Sequence, residues 1–164
     1  MNEIAAGWAN FFIAEVGAAA ALSGLVIVAI SINLKHILSF PQLPGRAAEM
    51  LILLVGSLLA CSFGLIPGQP IKLFGGEILG AGLLMTVPPI VIQARQFPVM
   101  KTQPVTWWLW RFLIALCSGM PVLIGGCYLL SGASSGFYWV AGGVMMTLAA
   151  TVWNAWVLLI EILR

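Results

Sequence analysis

The stretch AAEMLILLVGSLLACSFGLI, residues 47–66, decides the fold of this chain. Every position from Leu51 to Val55 is apolar, so the alternation of apolar and polar residues that marks a membrane β-strand is absent. A helix of about 20 apolar residues crosses the hydrocarbon core of a bilayer. The stretch therefore predicts a membrane-spanning helix.

Four further apolar runs predict four more spanning helices, at residues 8–34, 73–92, 105–130 and 137–163. Of the 164 residues, 62% are hydrophobic and 7% are charged, and the mean hydropathy is +1.08. A soluble domain carries about a quarter charged residues, so the composition excludes a soluble enzyme domain. We expect an all-α integral membrane protein with about five spans, forming one transmembrane domain over residues 1–164.

The basic residues predict the orientation of the helices. In a five-span arrangement, all of the basic residues except Lys72 lie on one side of the membrane. These residues are Lys35, Arg46, Arg95, Lys101, Arg111 and Arg164. Short loops rich in Lys and Arg stay in the cytoplasm. We therefore expect the N-terminus outside and the C-terminus inside. A four-span arrangement without residues 73–92 would divide the basic residues between the two sides.

Aromatic residues and the N-terminal sequence agree with this arrangement. Trp and Tyr prefer the boundary between membrane and water, and the chain places Trp and other aromatic residues near the expected helix ends: Trp8, Phe11, Phe12, Trp107, Trp108, Trp110, Phe137, Tyr138, Trp139, Trp153 and Trp156. The first apolar run follows no basic residue, so we expect a retained helix instead of a cleaved signal peptide.

Two acidic residues are the main candidates for function. Glu15 lies inside the first helix, and an acidic group at membrane depth indicates a functional site by default. Glu77 lies at a similar predicted depth in the third helix, and two carboxylates facing one cavity attract cations. Alternatively, Glu15 locks helices together through hydrogen bonds, and Glu77 stabilises the helix start or pairs with Lys72. We assign Glu49 and Glu161 to surface salt bridges with Arg46 and Arg164.

Small residues predict where helices approach one another closely. Gly17, Ala21 and Gly24 form such a pattern on the first helix, and Gly76 and Gly80 form a second on the third helix. We expect the first helix to be central in the assembly. Its residues Glu15, Leu22, Val26, Ala29 and Asn33 share one face, which between protomers would give an acidic ring, an apolar constriction and a polar ring.

Prolines inside the third and fourth helices remove backbone hydrogen bonds. Pro88, Pro89 and Pro121 leave the carbonyls of Leu84, Met85 and Cys117 without their helical N–H partners. Broken helices of this kind line ion or substrate paths, although kinks that serve packing are at least as common. Asn33 and Asn154, in the first and fifth helices, are predicted to hydrogen-bond between helices.

Other classes of site have no support in the sequence. The single histidine, His36, makes a metal site unsupported, and no cofactor motif or nucleic-acid footprint is present. The cysteines Cys61, Cys117 and Cys127 form no Cys-x-x-Cys pair, and we interpret them as buried apolar side chains. A Cys61–Cys127 disulfide remains an alternative. A lipid-modifying enzyme is neither excluded nor supported.

The run GAAAALSGLVIVAISINL at residues 17–34, the segment Arg46-Ala47-Ala48-Glu49 and the turn Ile66-Pro67-Gly68-Gln69 resemble small, uncharacterised polytopic membrane proteins of bacteria. The resemblance implies a bacterial inner-membrane location and carries no activity.

The sequence therefore leaves two functional hypotheses. The first is a homo-oligomeric channel or small-ion transporter, cation-selective, with Glu15 and Glu77 on the path. The second is a non-catalytic membrane subunit that packs through the small-residue face of the first helix. The expected partners are the lipid bilayer, further copies of the chain and small cations.

Overall fold

The computed structural model describes residues 3–97 and 105–163, and within these ranges it describes no side chain for residues 3–6, 105, 107 and 157–163. Every regular element in this part of the chain is an α-helix, and the order is α1 (Glu3–Ile32), α2 (Leu34–Ser39), α3 (Leu43–Phe63), α4 (Ile71–Gln96), α5 (Val105–Leu130) and α6 (Gly136–Leu163). All of these helices except the short α2 are long and apolar enough to cross a membrane. The prediction of a helical protein with five helices long and apolar enough to span a membrane is confirmed.

The start of α3 differs from the prediction. We expected Pro44 and Gly45 to belong to the loop before the helix, but both lie in its first turn. Proline is tolerated there because the first N–H groups of a helix have no partner in the preceding turn. The helix therefore begins at Leu43, four residues before the apolar run on which the prediction was based.

Helices α3, α4, α5 and α6 form a closed four-helix unit. The adjacent pairs α3–α4, α4–α5, α5–α6 and α3–α6 all pack together, so α3 and α5 occupy opposite corners. Two tight turns, at residues 64–70 and 131–135, join α3 to α4 and α5 to α6. Gly68 and Gly132 adopt positive φ angles of 72° and 85° in these turns, a conformation that favours glycine. We call this end of the unit the hairpin end and the other the basic end.

Glycines allow the helices of the unit to approach closely. A Cβ atom on Gly75 would lie 2.5 Å from the backbone nitrogen of Leu130, and one on Gly82 would lie 2.9 Å from that of Leu123. Further glycines of α5 and α6 are equally enclosed, namely Gly119, Gly125, Gly126, Gly136 and Gly143. Because small residues permit backbone contact in a membrane, these glycines are the packing residues of the unit.

The glycines that the sequence singled out on α4 are different ones. A Cβ atom on Gly76 or Gly80 would meet nothing within 4 Å, so neither residue packs against another helix of the described chain. The prediction of their packing role was wrong within one protomer. A GxxxG spacing identifies a face of a helix, but it does not show which face the neighbours cover.

Helix α1 lies outside the four-helix unit and packs mainly against α3. Phe12, Ala19 and Val26, seven residues apart, form its buried seam, whereas most of the helix surface is exposed. The expectation that α1 is central is therefore wrong for a single protomer. Gly17, Ala21 and Gly24 face away from the bundle, and a Cβ atom on either glycine would meet nothing within 4 Å.

Aromatic rings hold α1 to the hairpin end. Trp8 stacks on Phe137 at a centroid distance of 5.7 Å, and Phe12 packs edge-on against Phe74 at 5.9 Å. Phe12, Phe74 and Phe137 are buried, so Phe12 and Phe137 belong to the core instead of the boundary belt that the sequence suggested. Other aromatic side chains are exposed, as a membrane-boundary position requires: Trp110, Tyr138, Trp139, Trp153 and Trp156.

Candidate functional site

A buried ion pair crosses the interior of the four-helix unit. An Arg111 guanidinium nitrogen on α5 donates to a carboxylate oxygen of Glu49 on α3 at 2.5 Å. The two residues are 7% and 9% exposed, respectively. The pair joins the opposite corners of the unit, because α3 and α5 are not adjacent in its ring of packed helices. The prediction of a surface position for Glu49 beside Arg46 was wrong, since α5 supplies its main partner.

Two glutamines of α4 extend the hydrogen-bond network around the ion pair. The Gln93 side-chain amide donates to the second carboxylate oxygen of Glu49 at 3.2 Å. Arg111 donates to the side-chain carbonyl oxygen of Gln96, also at 3.2 Å. The Arg111 guanidinium also lies 5.5 Å from the ring centroid of Trp108, within range of a cation–π interaction. Both charges therefore have several partners in a medium where unsatisfied charges are costly.

A small cavity of about 10 Å³ adjoins the ion pair. This volume accommodates about one water molecule. Its lining combines charged and polar side chains with Pro89 and a few apolar residues: Arg46, Glu49, Gln93, Arg111, Asn154, Met50, Leu53, Ile114 and Ala115. Each helix of the four-helix unit thus contributes a polar group to this level, and we call Glu49, Gln93, Arg111 and Asn154 the charge layer.

A second polar layer lies deeper in the unit. On each helix, a buried hydroxyl residue lies seven or eight positions from the charge-layer residue, in the direction of the hairpin end. These residues are Ser57, Thr86, Ser118 and Thr147. Seven residues of helix correspond to about 10 Å. We call these four residues the hydroxyl layer. Thr151, also buried, lies between the two layers on α6.

Helix contacts confirm that the hydroxyl residues share one depth. Gly56, beside Ser57, packs on the Met85 side chain, which precedes Thr86 in α4. Gly119, beside Ser118, packs on Thr86 itself. Gly143 packs near the Ser118 carbonyl oxygen and accepts a hydrogen bond from Thr147 at 2.8 Å. The four helices therefore meet at this level, as they do at the charge layer.

The hydroxyl groups differ in how they are satisfied. Thr86 and Thr147 donate to carbonyl oxygens of their own helices, Gly82 and Gly143. Ser57 and Ser118 are 0% and 1% exposed, and within the described part of the chain their hydroxyl oxygens have no hydrogen-bond partner. Buried hydroxyls without partners are rare because burial removes the hydrogen bonds that water provides.

Glu15 lies on the bundle side of α1, partly buried, about 12 Å along the helix from Gly7. Phe12, one turn before Glu15, packs against Gly64 at the end of α3, so Glu15 lies at about the depth of Cys61. Among the described residues it forms no hydrogen bond or ion pair, including none to Glu77. Glu77 accepts a hydrogen bond from the Gln69 amide in the α3–α4 turn. The shared carboxylate site remains a prediction.

The other residues predicted for a path along α1 have partners within their own protomer. Val26 is buried against α2 and α3, and Leu22 packs on the same cluster. The Asn33 side chain donates to the Ala29 carbonyl oxygen at 2.9 Å, at the end of α1. Leu22 and Val26 are therefore covered, and in this arrangement they do not form an apolar constriction between protomers.

The remaining predicted groups lie apart from the two layers. Cys61 is buried, whereas Cys117 and Cys127 are exposed, so the interpretation of all three as buried was wrong for two of them. All three thiols are free in the described structure, and no disulfide joins Cys61 to Cys127. The side chain of Glu161, and Lys101 and Arg164 entirely, lie outside the described residues.

Comparison with protein-family profiles, with curated proteins and with solved structures shows no match to this chain. The geometry of the site therefore carries the functional argument.

Proposed function

We propose that the protein transports a small cation across the membrane, and that the path runs through the polar interior of the four-helix unit. The observation that carries this proposal is the Glu49–Arg111 pair, which lies between opposite helices and is surrounded by polar groups from all four. Ionisable groups inside membrane proteins mark ion paths by default, because their burial is costly without a function that requires them.

The helices around the pair have a further property typical of transport paths. Pro89 lines the cavity beside Glu49, and Pro121 interrupts the hydrogen-bond ladder of α5. Transporters place broken helices around their ion sites because polar backbone groups become available there. Glu15, at about the depth of Cys61 near the hairpin end, provides an acidic group on the other side of the hydroxyl layer. The proposed path therefore has a carboxylate near each end.

The proposal includes an orientation and a location. The described basic residues Lys35, Arg46, Arg95 and Arg111 lie at the basic end, and Lys72 lies at the hairpin end. The positive-inside rule places the basic end in the cytoplasm, so the N-terminus is outside and the C-terminus inside. The resemblance to bacterial membrane proteins supports the bacterial inner membrane as the location.

Ion flux from liposomes tests the proposal. We expect purified protein in liposomes to conduct H⁺, Na⁺ or K⁺ above the level of protein-free liposomes. Glu49→Gln removes the charge of the carboxyl group at nearly constant volume, and we expect it to reduce that flux at least about tenfold. Glu49→Asp keeps the charge and serves as the conservative variant, with flux between those of Glu49→Gln and the wild type.

The matched control is Arg95→Gln, an exposed charge on α4 two residues from Gln93. We expect this variant to conduct like the wild type. The proposal is wrong if folded wild-type protein conducts no ion, or if folded Glu49→Gln conducts as well as Arg95→Gln. Size-exclusion chromatography of each variant shows whether it is folded before the flux is compared.

A second candidate function is that of a membrane subunit that associates through α1. The observation that favours it is the outward position of Gly17, Ala21 and Gly24, whose small side chains leave the backbone of α1 accessible. A second copy of the chain or another membrane helix fits such a surface. A second copy makes the protein the homo-oligomer of the first hypothesis, and this remains compatible with transport inside each protomer.

Association in detergent micelles and nanodiscs tests the second candidate. We expect the double variant Gly17→Leu/Gly24→Leu to dissociate an oligomer or release a co-purifying partner. Gly142→Leu is the control, because Gly142 on α6 is equally open. A monomer without partners in native membranes contradicts this candidate, and so does equal dissociation by the control.

A further inference from the structure

We propose that the transported cation is the proton, and that it crosses the middle of the bundle on water bound at Ser57 and Ser118. This inference rests on the proposed transport function, whereas the water site stands independently of it. The observation behind both is the pair of fully buried hydroxyls without partners in the hydroxyl layer.

Acceptors for such water lie at the same depth. Pro88 and Pro89 have no N–H to donate to the carbonyls of Leu84 and Met85, and Pro121 has none for Cys117. Leu84 and Met85 precede Thr86, and Cys117 precedes Ser118. All three prolines therefore leave backbone acceptors at the hydroxyl layer. A Cβ on Gly119 would lie 3.2 Å from the carbonyl carbon of Met85, so this peptide faces α5.

Hydroxyl donors and backbone acceptors together supply the hydrogen-bond partners that bound water needs. A buried water molecule makes about three hydrogen bonds to polar groups that are otherwise unsatisfied. Ser57 and Ser118 each provide a donor and an acceptor, and the carbonyls that lack helical partners provide further acceptors. This agreement of the positions of two serines and three prolines is the reason to place water there.

The charge layer favours a proton over a metal cation. The cavity beside Glu49 has room for about one water molecule, which is too small for a hydrated metal ion. The charged groups that face Glu49 are Arg46 on its own helix and Arg111 on α5, while α4 and α6 present the neutral Gln93 and Asn154. A carboxylate accepts a proton by forming an O–H bond, which requires no space for a hydration shell.

The network accommodates a proton on Glu49. A protonated water molecule transfers its proton to the carboxylate, which becomes a neutral acid, and the water is left neutral. The ion pair with Arg111 is then lost, but Arg111 keeps the Gln96 carbonyl oxygen and the Trp108 ring as partners. When Glu49 returns the proton to water on the other side, the ion pair forms again.

Thermal unfolding tests the water site. If water bridges the two hydroxyl groups, Ser57→Ala and Ser118→Ala each lower the Tm, because the water loses a partner. The Tm of the double variant then falls by less than the sum of the two single decreases. If the site is dry, each substitution removes an unsatisfied hydroxyl and raises the Tm, which overturns the water site. Ser31→Ala is the control, because the Ser31 hydroxyl is exposed and donates to the Ile27 carbonyl oxygen.

Flux measurements with a pH-sensitive dye inside liposomes test the proton. We expect proton flux that falls at least about tenfold in Ser57→Ala/Ser118→Ala and is unchanged in Ser31→Ala. Sodium or potassium flux without proton flux overturns the proton and leaves the transport function standing. Absence of all flux overturns both. Proton flux that is unchanged in the double serine variant overturns the role of this water in the path.

Discussion

The chain uses glycine in two opposite ways, between α4, α5 and α6 and on α1. In the four-helix unit, several glycines lie where a side chain would collide with a neighbouring backbone, as a Cβ atom on Gly75 would with Leu130. On α1, Gly17 and Gly24 lie beside nothing within 4 Å. Helix α1 is thus attached to the unit along a narrow seam, with its small residues on the other side. A glycine motif shows that close approach is permitted, and the structure shows where it occurs.

Acidic residues follow the same division. Glu49 lies inside the four-helix unit with partners on α4 and α5, whereas Glu15 lies partly buried on α1, outside the unit. The Glu49–Arg111 pair inside the unit is therefore satisfied by contacts between helices, and α1 adds an acidic group at the side of the unit. Substitutions in the two regions are expected to differ in kind: those in the unit affect stability, and those on the outward face of α1 affect association.

The largest expected effect is that of breaking the buried ion pair. Arg111→Gln leaves the Glu49 carboxylate without its cationic partner, and we expect it to lower the free energy of unfolding by about 3–5 kcal/mol. The double variant Glu49→Gln/Arg111→Gln leaves no unpaired charge at this pair, so we expect it to be more stable than either single variant. Unfolding in detergent micelles measures all three. Costs that simply add in the double variant contradict a buried pair.

A smaller effect is expected at two neighbouring glycines of α4. Gly75→Val places a branched side chain against the backbone of α5, and we expect it to lower the free energy of unfolding by about 1–3 kcal/mol. Gly76→Val faces open space and should change it by less than about 0.5 kcal/mol. The two variants differ in position by one residue, so intrinsic helix propensity cancels between them. Equal costs would remove the distinction between packed and open glycines.

The sequence predicted the helices because apolar length and proline-containing breaks are local properties. The boundary error at Pro44 and Gly45 arose because the residues that end one helix also fit the first turn of the next. The sequence also contained a signal for some of the packing glycines, because they occur in pairs seven residues apart: Gly75 and Gly82, Gly119 and Gly126, and Gly136 and Gly143. A seven-residue repeat keeps one helix face, whereas the GxxxG rule selected Gly76 and Gly80.

The candidate site was missed for a physical reason. Glu49 was judged by its neighbour Arg46 and by its closeness to the helix start, which made a surface salt bridge the natural assignment. Arg111 was counted only among the basic residues expected on the cytoplasmic side. Their true partners lie on other helices, and local pattern does not predict which helices meet. A signal was nevertheless present, because each spanning helix of the unit carries two polar residues two turns apart: 49 and 57, 86 and 93, 111 and 118, 147 and 154.

A modest effect is expected at the hairpin end of the four-helix unit. Gln69→Ala removes the donor to Glu77, and we expect it to lower the free energy of unfolding by about 1 kcal/mol. Lys72→Ala tests the alternative in which Glu77 pairs with Lys72, and we expect no measurable change because Lys72 is exposed. Thermal unfolding of both variants decides between the two. A larger effect of Lys72→Ala identifies the lysine as the partner that holds the turn.

The smallest effect on stability is expected on the outward face of α1. Gly24→Leu adds a side chain where nothing lies within 4 Å, so we expect the free energy of unfolding of a dissociated protomer to change by less than about 0.5 kcal/mol. Val26→Ala, two residues away in the buried seam, should lower it by more, because it leaves a cavity against α3. Thermal unfolding of monomeric fractions measures both. If Gly24→Leu is as destabilising as Val26→Ala, the outward face contacts the four-helix unit, and α1 is not available for association with other helices.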